Sequence, residues 1–286
     1  MKKLRSAVCL PLLLMLFVSG CGSIRLGEQL RRMEAVPLFK NGNTLVLQSN
    51  ECMFAVTQNS KAVSVNQLPV ALTEAVKVDE KGFWQIGNFS AINILSPIVK
   101  KERPRFKVIL IDPGHGGKDS GAVAANGTKE KDLNLRLSLL TAEELRKRGF
   151  TVYLTRQDDR FLSLGERPAL ISKYKADLFI SIHHNSAANK NAAGHEVYLF
   201  SAKDEKQAVL LRNSAYTAFR IEEELRKIAL PARGVKLASF KVQRLAQTPS
   251  ILIEAGFLSN AEEAEKLASE VRQKQLAAAV AAALAE

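Results

Sequence analysis

The chain holds four histidines, His115, His183, His184 and His195. His115 lies in Asp112-Pro113-Gly114-His115-Gly116-Gly117, directly after an apolar run, and His183 closes another, Asp177-Leu178-Phe179-Ile180-Ser181-Ile182-His183. Two carboxylates accompany them: Glu254 follows Ile251-Leu252-Ile253, and Glu130 stands just before a leucine-striped segment. Two imidazoles and one carboxylate match a catalytic zinc site, which keeps three protein ligands and an open fourth position for water. A further carboxylate can take the proton from that water. Taken alone, Glu130 reads better as an acidic residue at a helix N-terminus. Residues so far apart in sequence can act together only if the fold brings them to one place.

The expected elements supply that place. Phe106 to Ile111 is a near-continuous apolar run, as in a strand buried on both faces. Leu133, Leu137, Leu140 and Leu145 form a helical stripe over Leu133 to Arg148, with Gly149 as the stop. Further strands are predicted at Thr151 to Leu154, Leu178 to Ile182, Val197 to Phe200 and Ile251 to Ile253. Further helices are predicted at Leu164 to Tyr174, at Ala208 to Ile228 and from Glu262 onward. This alternation predicts an α/β fold, a mostly parallel twisted sheet with helices on both faces. Ligands of open α/β sheets bind outside the carboxyl ends of the strands, and His115, His183 and Glu254 each stand at such an end. Neighbouring side chains on extended backbone point to opposite faces. Only one of His183 and His184 therefore faces the site; His183 continues the strand register, and His184 is expected to be packed or solvated. His195, beside Gly194, reads as a surface loop residue without a role.

Residues 36–99 have a different texture. Thr44-Leu45-Val46-Leu47, Ala62-Val63-Ser64-Val65, Val76-Lys77-Val78 and Phe83-Trp84-Gln85-Ile86 are punctuated by Asn, Gly and Pro. They predict a small β-rich module, joined by a linker over 100–104 to a catalytic domain over 105–286. Residues 1–20 read as an export signal: Lys2, Lys3 and Arg5, then the apolar run Leu10 to Val18, too short for a stable membrane span, then Ser19 and Gly20. Val18-Ser19-Gly20-Cys21 resembles the bacterial lipoprotein box, which implies cleavage before Cys21, acylation of its thiol and a tether over 21–35. Gly22 rather than aspartate follows, which in a host with two membranes implies the outer membrane, facing the periplasm. Cys9 would leave with the signal and Cys21 would be acylated, so no internal disulfide is expected at Cys52. The net charge of +12 favours anionic partners. Aromatic residues are only 6% and do not interleave with basic ones, which argues against nucleic acid. The chain is expected to be a monomer.

Six ordered stretches resemble the N-acetylmuramoyl-L-alanine amidase family with the DPGHGG signature, the zinc amidases of bacterial wall turnover. They are Asp112 to Gly117; Glu130-Lys131-Asp132-Leu133-Asn134-Leu135; Thr155-Arg156 with Asp159 and Arg167; Ala176 to His183; Arg233-Gly234-Val235-Lys236; and Ile253-Glu254-Ala255-Gly256-Phe257-Leu258-Ser259-Asn260. The resemblance implies that His115, Glu130 and His183 are zinc ligands and that Glu254 is the catalytic carboxylate. It also implies hydrolysis of the amide between N-acetylmuramic acid and L-alanine in peptidoglycan, in wall remodelling or daughter-cell separation. Two alternatives stand beside it: an inactive peptidoglycan-binding protein on the same fold, and a zinc peptidase acting on the stem peptide. Arg156 and Arg167 are expected to hold the fold or the substrate. The sequence departs from the family at His184, where a small residue is usual, and at Ser172, where Asn is frequent. Some relatives carry an inhibitory helix between the second histidine and the catalytic glutamate. Only 71 positions separate His183 from Glu254, so an open site is expected. An activator protein leaves no signature in the sequence.

Overall fold

The computed structural model describes residues 23–25, 35–49, 52–228 and 231–285. The stretches read from sequence as an export signal, an acylation site at Cys21 and most of a tether over 21–35 lie outside these residues. The described part of the first third of the chain is β-rich: β1 (Ser23–Arg25), β2 (Ala35–Asn41), β3 (Thr44–Ser49), β4 (Cys52–Thr57), β5 (Ala62–Val65), β6 (Leu68–Ala71), β7 (Lys77–Val78) and β8 (Trp84–Gly87). A helical segment, α1, runs over 88–99. The α/β part follows: β9 (Val108–Pro113), α2 (Glu130–Lys147), β10 (Thr151–Leu154), α3 (Glu166–Tyr174), β11 (Leu178–Asn185), β12 (His195–Phe200), α4 (Glu205–Arg226), β13 (Ala232–Ala238), α5 (Lys241–Leu245), β14 (Ser250–Phe257), α6 (Ala261–Ala268) and α7 (Glu270–Ala285).

The main sheet has the order β10-β9-β11-β14-β12-β13-β6-β5-β4-β3-β2. From β10 to β14 all pairings are parallel; β12 then runs antiparallel to β14. The amino end of β12 therefore lies at the same rim as the carboxyl ends of β9, β11 and β14. Two-sided burial explains the apolar runs. Ile109 and Ile111 enter the larger core with the leucines of α2 and the buried faces of α4 and α7. Leu110 enters the smaller core opposite, with Phe179, Leu252, Ile171 of α3 and Val242 of α5.

The β-rich module does not stand apart. Strands β2 to β6 form an antiparallel meander, and β6 pairs in parallel with β13 through Val70 and Val235, so the module prolongs the sheet. Gly234 permits the approach: a Cβ there would lie 2.1 Å from the Pro69 carbonyl oxygen, and its φ is +87°. The segment expected as tether also contributes, since β1 pairs antiparallel with β8. Helix α1 lies inside the stretch read as β-rich. Its Ile94, Leu95 and Ile98 are buried in the larger core. The last helix is broken at Ser269, whose Oγ accepts the Arg272 N–H at 3.3 Å as an N-cap. No helix among the described residues is long and apolar enough to cross a membrane.

Candidate metal centre

Strand β9 ends at Pro113, and the chain turns at once into the glycine-rich loop. Gly114 N–H donates to the Ile182 carbonyl at 3.0 Å, which ties the loop to β11. A Cβ at Gly114 would fall 2.2 Å from the His183 ring, so this position is left clear for that imidazole. His115 adopts left-handed backbone, with φ of 60°. Its Nε2 lies 3.2 Å from Glu130 Oε2, and His183 Nδ1 lies 2.9 Å from Glu130 Oε1. One potential ligand atom from each of His115, Glu130 and His183 falls within 4.8 Å of the others. The three residues singled out from sequence thus meet, with His115 and His183 side chains 25% and 18% exposed against 7% for Glu130.

Glu130 is the first residue of α2, three residues before the predicted start. That position aims its carboxylate off the helix end at the rim. Burial opposes its ionisation, but hydrogen bonds to His115 and His183 and their charge outweigh burial and hold the carboxyl well below its usual range. Sequence reasoning passed over Asp119, which lies 2.8 Å from His115 Nδ1 and leaves Nε2 facing Glu130. A carboxylate on the far nitrogen fixes the orientation of a ligating imidazole. The available signal was an acidic residue four positions after His115, within the same turn-rich loop.

Two buried arginines secure this loop. Arg156 donates from Nε to the Pro113 carbonyl at 3.0 Å and from Nη2 to those of Gly114 and Lys131 at 2.8 and 2.9 Å. Arg167 donates from Nη1 to Asp112 Oδ1 at 3.0 Å and from Nη2 to the His115 carbonyl at 2.8 Å. Asp112 also accepts from Thr155 and Ser181 hydroxyls at 2.7 and 2.8 Å. Both arginines hold the metal-site backbone.

Strand β11 continues through His183 and His184, so the two rings take opposite faces. His184 is buried. Its Nδ1 lies 2.7 Å from Asn134 Oδ1, and its backbone N–H donates to Glu130 Oε1 at 3.2 Å. Burial pushes its pKa down to about 4, so it is a neutral packing residue. Glu254 lies within β14 and pairs in register with His183, which places both side chains on one face. Its Oε2 is buried without a hydrogen-bond partner among the described residues. Burial, then the negative charges of Glu130 and Glu196, raise its pKa well above the usual carboxylate range. A buried carboxyl of raised affinity for protons, beside two imidazoles and a carboxylate, suits proton transfer.

His195 is not a surface residue. It opens β12 with 0% exposure, and its Nε2 lies 3.4 Å from the equally buried Glu222 of α4. Gly194 suggested a loop, but Gly194 turns the chain against the Pro231 carbonyl, directly into the sheet.

Fold and site give an α/β protein with a candidate His–Glu–His metal centre and a buried carboxylate in register beside it, the groups a metal-assisted hydrolase would use. The chain belongs to the N-acetylmuramoyl-L-alanine amidase family, whose model matches residues 109–286. It is 40% identical over 188 residues to the uncharacterized protein YqiI of Bacillus subtilis, covering 65% of this chain and 87% of that one. It is 36% identical over 199 residues to the N-acetylmuramoyl-L-alanine amidase LytC of the same organism, covering 69% of this chain but only 39% of LytC. The solved N-acetylmuramoyl-L-alanine amidase AmiC2 of Nostoc punctiforme superposes with a TM-score of 0.56 at 34% identity, over 62% of this chain and 94% of that one.

Proposed function

We propose that this chain hydrolyses the amide bond between N-acetylmuramic acid and L-alanine in peptidoglycan, with one zinc ion held by His115, Glu130 and His183. The observation that carries the reading is the meeting of those three donors beside Glu254, within the family's fold. The donor set suits zinc. With zinc–ligand bonds of about 2.0–2.1 Å, ligand atoms on a tetrahedral ion stand about 3.3 Å apart. His115 Nε2 lies 3.2 Å from one Glu130 oxygen and His183 Nδ1 2.9 Å from the other, with one donor atom from each residue within 4.8 Å of the rest. Zinc bound there supplies a Lewis acid that polarises the scissile carbonyl and acidifies water.

The chain's own residues do the rest. Asp119 keeps His115 Nε2 turned to the site, and the arginine-held loop keeps its backbone still. Glu254 takes the proton of the attacking water on its carboxylate and passes it to the departing alanine nitrogen. Water and amide thereby become a carboxylic acid and a free amine.

The export signal and the lipoprotein box support action outside the cytoplasm, on an anchor at Cys21 on the outer membrane facing the periplasm, in wall remodelling or daughter-cell separation. Digestion of purified peptidoglycan tests the reading. The expected products are intact glycan strands and peptides with a new alanine amino terminus. Release of free stem amino acids instead would indicate a peptidase, and binding without products an inactive relative.

A further inference from the structure

The row of side chains that starts at His183 does not stop at Glu254. Glu254 pairs in register with Glu196 of β12, and the Glu196 side chain is only 3% exposed. Its carboxylate gathers four donors: Arg233 Nε at 2.6 Å, Tyr198 OH at 2.7 Å, Asn185 Nδ2 at 3.0 Å, and Lys236 Nζ. Asn185 stands two residues beyond His183 on β11, so this cluster adjoins the metal centre along one rim. Two cations against one carboxylate leave it net positive.

Arg233 reaches Glu196 through a β-bulge. His195 pairs with Ala232 but Val197 pairs with Val235, so Arg233 and Gly234 together stand opposite Glu196. Bulges beside active sites re-aim side chains, and this one is held firmly. Gly234 N–H donates to the buried Glu222 carboxylate of α4 at 2.6 Å, and the Pro69 carbonyl closes over Gly234 from the other side. The guanidinium carbon sits 5.1 Å from the Phe257 ring centroid. Only the Nε of Arg233 is engaged; among the described residues neither Nη nitrogen has a partner, and the side chain is 40% exposed. A planar guanidinium fixed at one edge, with its fork still to be filled, is a receptor for a carboxylate.

We infer that Arg233, with Lys236 beside it, binds a carboxylate of the acidic peptide on the leaving side of the scissile amide. The inference rests on the amidase reading, in which Glu254 passes its proton to the departing nitrogen. Arg233 lies beyond Glu254 as seen from the metal centre, two strands further along the same rim, where a peptide leaving past Glu254 on the side away from the metal would meet it. It gives a role to Arg233-Gly234-Val235-Lys236, a motif that metal binding and proton transfer leave unused.

The test uses two muramoyl peptides that differ at one group, a free carboxylate or its carboxamide on the residue after alanine. Wild type, Arg233→Gln and Arg233→Lys, all metal-loaded, are compared by kcat and KM. The wild type should favour the carboxylate form by about tenfold or more in kcat/KM, mostly through KM, the worth of one charge-assisted hydrogen bond. Arg233→Gln should bring that ratio to about one. Arg233→Lys keeps a charge on Glu196 and so keeps the fold, but lacks the fork, and should fall between. A wild type indifferent to the carboxylate, a ratio that survives Arg233→Gln, or equal loss on both substrates would overturn the subsite alone. A wild type that cuts neither substrate would overturn the amidase reading together with it.

Discussion

In the proposed mechanism Glu254 and Asp119 act on the same centre by different routes, and substitution separates them. Glu254→Gln keeps the shape but removes the proposed proton acceptor. It should keep one bound metal ion per chain and lose about 10²–10⁴-fold in turnover, the usual worth of general acid–base catalysis. Metal analysis beside peptide release checks this; normal turnover would show that the base lies elsewhere. Asp119→Ala leaves His115 without its orienting partner. Metal affinity should fall about 10–100-fold, read by competition with a chelating dye, while thermal stability of the metal-free protein stays close to that of wild type. Glu196 makes a pH prediction. Burial opposes its ionisation, but donors from Lys236, Tyr198 and Arg233 outweigh burial and lower its pKa. Its stabilisation is therefore full above the unfolded carboxylate pKa of about 4.3 and is lost as pH falls through the lower folded value. The gap in denaturant midpoint between wild type and Glu196→Gln should be widest near neutrality and close in acid. A gap that widens in acid would contradict the assignment. His183 was legible because it closes an apolar run and His115 because it follows one by four positions, whereas Glu130 stood out only beside them and through the family resemblance. Asp119 and His195 were not legible, because what they touch depends on how a loop closes and on a helix that packs from far along the chain.

At the scale of elements, the site depends on a loop that cannot hold itself. Asp112 is completely buried and is met by Arg167, Thr155 and Ser181, and Arg167 reaches three backbone carbonyls as well. Arg167→Ala should cost about 3–5 kcal/mol, the penalty for leaving a buried charge without its ionic partner. Arg167→Lys should recover little of it, since one ammonium cannot reproduce the fork. Urea unfolding checks both, and a Lys variant as stable as wild type would mean that charge alone matters. Strands β9, β11 and β14 were readable because burial on both faces makes them apolar throughout. Strand β13 was not. Its sequence, Ala232-Arg233-Gly234-Val235-Lys236-Leu237-Ala238, mixes charge and glycine because one side serves Glu196 and the bulge serves β6. The twofold alternation that marks a strand is broken there by the bulge.

For the whole molecule, the continuity of the sheet from β10 to β2 implies one cooperative unit. Leu95 in α1 is completely buried among residues of the larger core. Leu95→Ala, although far from the metal centre in sequence, should destabilise the whole chain by about 2–5 kcal/mol. Circular dichroism and peptide release should fall together on heating, in one transition. An early transition of the β-rich module with activity intact would show two independent units. The composition change near residue 104 was visible in the sequence, but parallel pairing across it rests on Val70 and Val235, residues that nothing local marks as partners. The central claim is that His115, Glu130 and His183 share one divalent ion that enables hydrolysis. Its most direct measurement is a titration of chelator-stripped protein with zinc, following peptide release and metal stoichiometry in the wild type and in His183→Ala. Activity should rise linearly to a plateau at one ion per chain and stay absent from the variant, which should not retain the ion. Full activity in the stripped protein, or an unaltered plateau in the variant, would contradict the account.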